Sequence, residues 1–142
     1  MITGEQIADP VFSPDEQLYQ RCKKVHLDPG GRPTPAALPS PAYSVNRGKF
    51  GPAEDVLLPA ELYAEYGIFS YRVGDLPAPV AEAGLQYSFS VLHLPEPLNY
   101  HHSEVHTMCA GADMTKPAPK QVKKYFRTLI ARASKLLKQP QI

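Results

Sequence analysis

Sixteen of the 142 residues are proline, about twice the share of an ordinary globular chain. Each proline lacks an amide donor and fixes its own φ, so helix interiors and central strands have to lie between them. Much of the chain must then be loop. The stretch 29–41 holds five prolines and two glycines, which forbids regular structure, and residues 29–42 read as a loop. The length fits one domain, 1–142, long enough to bury roughly two thirds of its unfolded surface without metals or disulfides.

Ser13-Pro14-Asp15-Glu16 has the chemistry of a helix start: a hydroxyl to accept the amide at Glu16 and a proline where no donor is needed. It predicts a helix over residues 14–25 with Leu18, Tyr19 and Cys22 on one face. Tyr43 to Arg47 reads as a short strand. Pro52 begins a second helical stretch that Pro59 splits, with Leu62, Tyr63 and Tyr66 inward and Gly67 as its stop. Residues 68–73 and 85–94 read as strands, the second because Leu85, Tyr87, Phe89 and Val91 alternate with Gln86, Ser88 and Ser90. After a turn at 95–99, residues 102–110 return as a partner strand. Residues 117–138 repeat Val122, Tyr125, Phe126, Leu129, Ile130, Ala133 and Leu137 at helical spacing, an amphipathic helix. The expected fold is α+β, a small mostly antiparallel sheet with two or three helices and this long C-terminal helix.

The near-neutral total charge hides two compartments. Residues 116–142 carry eight bases and no acid, whereas residues 1–115 carry seven bases and fourteen acids. Such asymmetry points to an anionic partner or to a tail docked on its own acidic body, for instance around Glu54, Asp55, Glu61 and Glu65. No apolar run approaches twenty residues, and the opening six residues lack the basic-then-apolar order of a secretory leader, so a cytoplasmic protein is expected. In that setting Cys22 and Cys109 read as free, partly buried thiols.

One segment concentrates chemistry. Asn99-Tyr-His-His-Ser-Glu-Val-His-Thr-Met-Cys109 holds three of the five histidines, a carboxylate and a thiol. As a strand it projects His102, Glu104 and His106 from one face. As a helix it lines up His102, His106 and Cys109, a spacing that suits zinc, with Cys22 and His26 to complete the site. The alternation of Val105, Thr107 and Cys109 favours the strand, and no C-x-x-C pair or H-E-x-x-H helix is present, so no metal and no cofactor are expected. Phosphate loops, dinucleotide fingerprints and nucleophile elbows are also missing.

Three patches, Leu18-Tyr19-x-Arg21, Ser44-Val45-Asn46-Arg47 and Asn99-x-x-His102-x-Glu104-Val105, resemble a pattern found in small uncharacterised bacterial proteins. The resemblance covers about three quarters of the chain, stops near Asp113, and implies a bacterial origin and a shared site. Arginine can fork a phosphate or carboxylate while histidine and glutamate move protons. His102, Glu104, Arg47 and Arg21 are therefore the candidate catalytic set, with His102, Glu104 and Arg47 expected side by side. An arginine, a strand serine and a late glutamate are also similar to the R-S-E arrangement of ADP-ribosyltransferases, which implies NAD as a ligand. This chain departs from that arrangement, with His102 where the family has a second acid and a serine outside the usual S-T-S setting.

The bases Lys120, Lys123, Lys124, Arg127, Arg132, Lys135 and Lys138 spread around the polar arc of the C-terminal helix. They are the candidate contacts to nucleic acid, where each phosphate contact releases counterions, or to an acidic protein partner. The apolar face is better placed to cover the sheet than to lie on a membrane, and no membrane partner is expected. The leading expectation is a small bacterial cytosolic, non-catalytic binding or accessory subunit of a multicomponent system, contacting nucleic acid or an acidic protein. The alternative is an enzyme, an effector or toxin, acting on RNA or a nucleotide such as NAD through the His/Glu/Arg set.

Overall fold

A computed structural model describes residues 7–38 and 42–142. The opening residues 1–6, where no leader was read, and the end of the proline-rich loop, 39–41, lie outside the described residues. Eight strands, β1 (Gln17–Cys22), β2 (Ala42–Arg47), β3 (Gly67–Arg72), β4 (Val80–Glu82), β5 (Leu85–His93), β6 (His102–Cys109), β7 (Ala112–Asp113) and β8 (Lys135–Lys138), form one antiparallel sheet. Their order is β4-β5-β6-β2-β1-β3-β8, with β7 paired to the end of β6. Two α-helices join it, the single turn α1 (Ala60–Tyr63) and the long α2 (Lys120–Ala133). The architecture is α+β, with a larger sheet than the sequence implies.

Four strands are additional to those read from the sequence; β4 and β7 are short hairpin partners of β5 and β6, whereas β1 and β8 come from segments read as helix. Ser13 does start a turn: its carbonyl accepts from the Glu16 amide at 3.0 Å and its hydroxyl from Asp15 at 3.3 Å. No helix follows over 14–25, because Leu18, Gln20 and Cys22 alternate into the core while β2 and β3 pair with both edges of the strand. A buried glutamine in that alternation hides its period. At the other end α2 stops at Ala133, where the Ser134 hydroxyl bonds the Ile130 carbonyl at 2.7 Å and the backbone turns extended. The chain then pairs with β3, so Leu136 packs on the core and Leu137 is left exposed. The stretch after Pro52 is a 3₁₀ turn, Ala53–Leu57, followed beyond Pro59 by α1, with Leu62 outward and Tyr63 and Tyr66 half-buried. Within the proline-rich stretch Pro35–Ala37 makes one 3₁₀ turn.

The sheet has two unlike faces. Leu18, Tyr43, Val45, Phe69, Tyr71, Phe89 and Val105 share the first, covered by Val122, Phe126 and Ile130 of α2. Tyr19 and Ile68 belong to the second, where Val56, Leu57, Tyr63 and Tyr66 cover only the region over β1 and β3. Beside that partial cover the second face is open. Two hairpins close on Ala83-Gly84 and Ala110-Gly111, all four residues with positive φ, the geometry that matches strand twist and that glycine tolerates at the second position.

Candidate functional site

Beside the partial cover lies a groove of about 1090 Å³. It opens where β1 and β2 part: they share only the pairs Leu18–Arg47 and Tyr19–Asn46. Arg21 from β1, Ser44 and Asn46 from β2, and Asn99 to His102 from the turn into β6 line it, opposite Asp55, Val56, Tyr63 and Tyr66. All three sequence patches thus send residues to one place. Asn99 donates its amide to the Asn46 carbonyl oxygen at 2.8 Å, and His102 Nε2 lies 3.1 Å from Ser44 Oγ. Its Nδ1 is 2.8 Å from the Leu94 carbonyl and its Nε2 3.8 Å from Glu96. His101 binds Asp55 at 2.8 Å.

The polar accounting marks this groove further. Among the described residues four buried side-chain atoms have no hydrogen-bond partner, and three of them, Gln20 Oε1, Asn46 Nδ2 and His101 Nδ1, belong to residues lining it. Leaving such a group unsatisfied costs about 1–3 kcal/mol. Arg21 donates to the Val56 carbonyl at 2.8 Å and stacks 3.8 Å above the Tyr63 ring. No acid among the described residues lies within ion-pair distance of it.

Arg47 is elsewhere. Because Asn46 pairs with His102, the next residue points through the sheet, and Arg47 does not stand beside His102 and Glu104. Its side chain is 0% exposed and grips the Glu16 carboxylate at 2.7 and 2.8 Å and the Asp9 and Val11 carbonyls at 2.6 Å. Phe12 and Phe50 flank the guanidinium. Every part of it is committed to holding the N-terminal arm on the sheet. A smaller hollow of about 420 Å³ between that arm and β1 is lined by Glu16, already bound by Arg47.

Glu104 is also outside the groove lining, although β6 puts it on the same face as His102 and His106. It serves His106, whose two ring nitrogens lie 2.8 Å from Glu104 and 2.8 Å from Asp113. Both carboxylates accept, so the protonated ring can donate to each. Burial opposes that charge, but the two carboxylate bonds outweigh it and raise the His106 pKa above its ordinary 6.5. A raised value in the fold means stabilisation that is complete below pH 6.5 and is lost as pH rises through the folded value. The urea midpoint of the wild type should therefore fall between pH 6 and pH 8 more than that of His106→Gln, and parallel curves would refute the assignment.

The helical zinc stripe does not form: in a strand Cys109 points away from His102 and His106. No cluster of three metal-binding side chains exists among the described residues. Cys22 is buried, and burial pushes its thiol up to about 11, an inert group. Of the basic set, Lys120, Lys124, Arg132 and Lys135 are exposed and Lys123 and Arg127 half-buried. Lys138 instead bonds the Ala64 and Tyr66 carbonyls at 3.2 and 2.7 Å. Ser44, Asn46 and Asn99 stand outside the catalytic set expected from the sequence, although all three lie inside the three patches. No protein family model, no curated protein and no solved structure matches the chain.

Proposed function

We propose that this chain is a small binding or accessory subunit, at work in a bacterial cytosol, whose basic C-terminal segment engages the phosphate backbone of nucleic acid. One observation carries the reading: no ion pair among the described residues involves any base after position 115. The tail charges are not spent on the acidic body around Glu54, Asp55, Glu61 and Glu65. The apolar side of α2 is occupied by the sheet, so the charged groups that the helix presents to its surroundings are all bases, beside Gln121 and Thr128. Lysines on flexible stems spread over half a helix fit sequence-independent phosphate contact better than a single acidic pocket.

Anisotropy with a labelled 30-mer duplex and its single strand tests this. Affinity should fall steeply between 50 and 200 mM salt, and Lys120→Gln/Lys124→Gln/Arg132→Gln/Lys135→Gln should shrink the log–log slope by roughly 0.9 for each lost duplex contact. Absence of binding at low salt would remove nucleic acid and leave an acidic protein as the partner.

A further inference from the structure

The groove on the other face of the sheet holds an arrangement that binding at α2 does not use. The Leu94 carbonyl can only accept, so the His102 Nδ1 facing it at 2.8 Å carries the proton. In the neutral ring the lone pair is then on Nε2, and the Ser44 hydroxyl, 3.1 Å away, donates to it. The ring cannot easily turn, since His102 is 8% exposed and its backbone carbonyl accepts from the Leu94 amide at 3.0 Å. Ser44 is exposed on the neighbouring strand and faces the groove. A hydroxyl, a base and a fixed acceptor that sets the base's tautomer are the parts of an activated nucleophile.

We propose that Ser44 and His102 are the nucleophile and general base of an acyl-transfer site that hydrolyses carboxylic esters bearing an anionic group. Ser44 Oγ attacks the ester carbonyl carbon while His102 Nε2 takes the hydroxyl proton. The carbonyl electron pair moves to oxygen, and the buried, unpartnered Asn46 amide, two residues along the same face, is the donor available to that oxyanion. The Glu96 carboxylate, 3.8 Å from Nε2, favours the imidazolium that forms. Collapse breaks the bond to the leaving oxygen, which departs as an alcohol with the proton from His102. Water, deprotonated by the same ring, then cleaves the acyl–Ser44 bond, releasing the carboxylic acid and restoring both side chains. Across the groove Arg21, stacked on Tyr63 and in no ion pair among the described residues, selects a carboxylate or phosphate elsewhere on the substrate.

The full chain can be tested with a fluorophosphonate and with two esters, neutral p-nitrophenyl acetate and monoanionic p-nitrophenyl glutarate. Intact and peptide mass should show one phosphonyl adduct, at Ser44, absent from Ser44→Ala. His102→Gln should slow both labelling and ester turnover by about 100-fold or more. Arg21→Gln should raise KM for the anionic ester about tenfold or more beyond any change for the neutral ester. Where His102→Gln does not fold, Ser44→Cys replaces it: beside His102 the introduced thiol should react with iodoacetamide at pH 6 faster than an unfolded-peptide thiol. Turnover no faster than Ser44→Ala with no adduct at Ser44, or a thiol of ordinary reactivity in Ser44→Cys, overturns the proposal. Equal KM changes for both esters overturn the anionic selection.

Discussion

Arg47→Ala should destabilise the protein by about 3–5 kcal/mol, the usual cost of breaking a buried ion pair from one side. The loss is large because of what stays behind. Glu16, 6% exposed at its side chain, would keep a charge with no counterion, and the Asp9 and Val11 carbonyls would lose their donors. The arm ahead of Ser13 would then come free of the sheet and be cut there by a protease that spares the native protein. Removing the pair together separates charge from packing. Arg47→Met/Glu16→Gln should recover much of the lost stability, since no uncompensated charge remains. Urea unfolding of the single and double variants checks this, and an Arg47→Ala midpoint equal to wild type would mean that the pair is not buried.

Phe126→Ala should be comparably severe. The ring is 6% exposed, with its centroid 4.7 Å from Phe89 and 5.7 Å from Tyr43, so truncation empties a space bounded by two strands and the helix. Phenylalanine-to-alanine changes of this kind cost about 3–5 kcal/mol, which for a chain of this size lowers Tm by roughly 10 °C. Leu137→Ala is the internal comparison. On a continuous helix it would belong to the same apolar face, but on β8 it is half-exposed and should change stability by about 0.5 kcal/mol or less. Similar losses for both variants would restore the single helix over 117–138.

The difference between these leucine and phenylalanine positions shows where the sequence was legible. Strands at 85–94 and 102–110 announced themselves by alternation and the one at 68–73 as a short apolar run between turn residues, and all three are present within a residue or two. Strand β8 did not, because Lys-Leu-Leu-Lys continues the helical period past Ala133 and only Ser134 marks the break. Strand β1 stayed hidden because its central inward residue is Gln20, polar yet 6% exposed, its amide bonded to the Ala37 carbonyl at 3.0 Å. Long-range pairing overrode a good local helix start.

For the site, parity alone carried more information than was used. In Ser44-Val45-Asn46-Arg47 the serine and asparagine share a face and the arginine takes the other, which separates Arg47 from His102 whatever the neighbouring strands are. What parity cannot supply is strand order. That β6, β2 and β1 lie side by side follows from the whole sheet, and only this order brings Ser44, His102 and Arg21 to one groove.

The short ladder between β1 and β2 has a mechanical side. Four strands, β4-β5-β6-β2, and three strands, β1-β3-β8, meet across two residue pairs, so along this path the ladder is thinnest at the line between them. Cohesion across that line falls to side chains: Leu18, Phe69 and Tyr71 from one half and Tyr43, Val45 and Val105 from the other belong to the same core under α2. The helix acts as a clasp over two panels, and loosening it lets them swing before either panel frays.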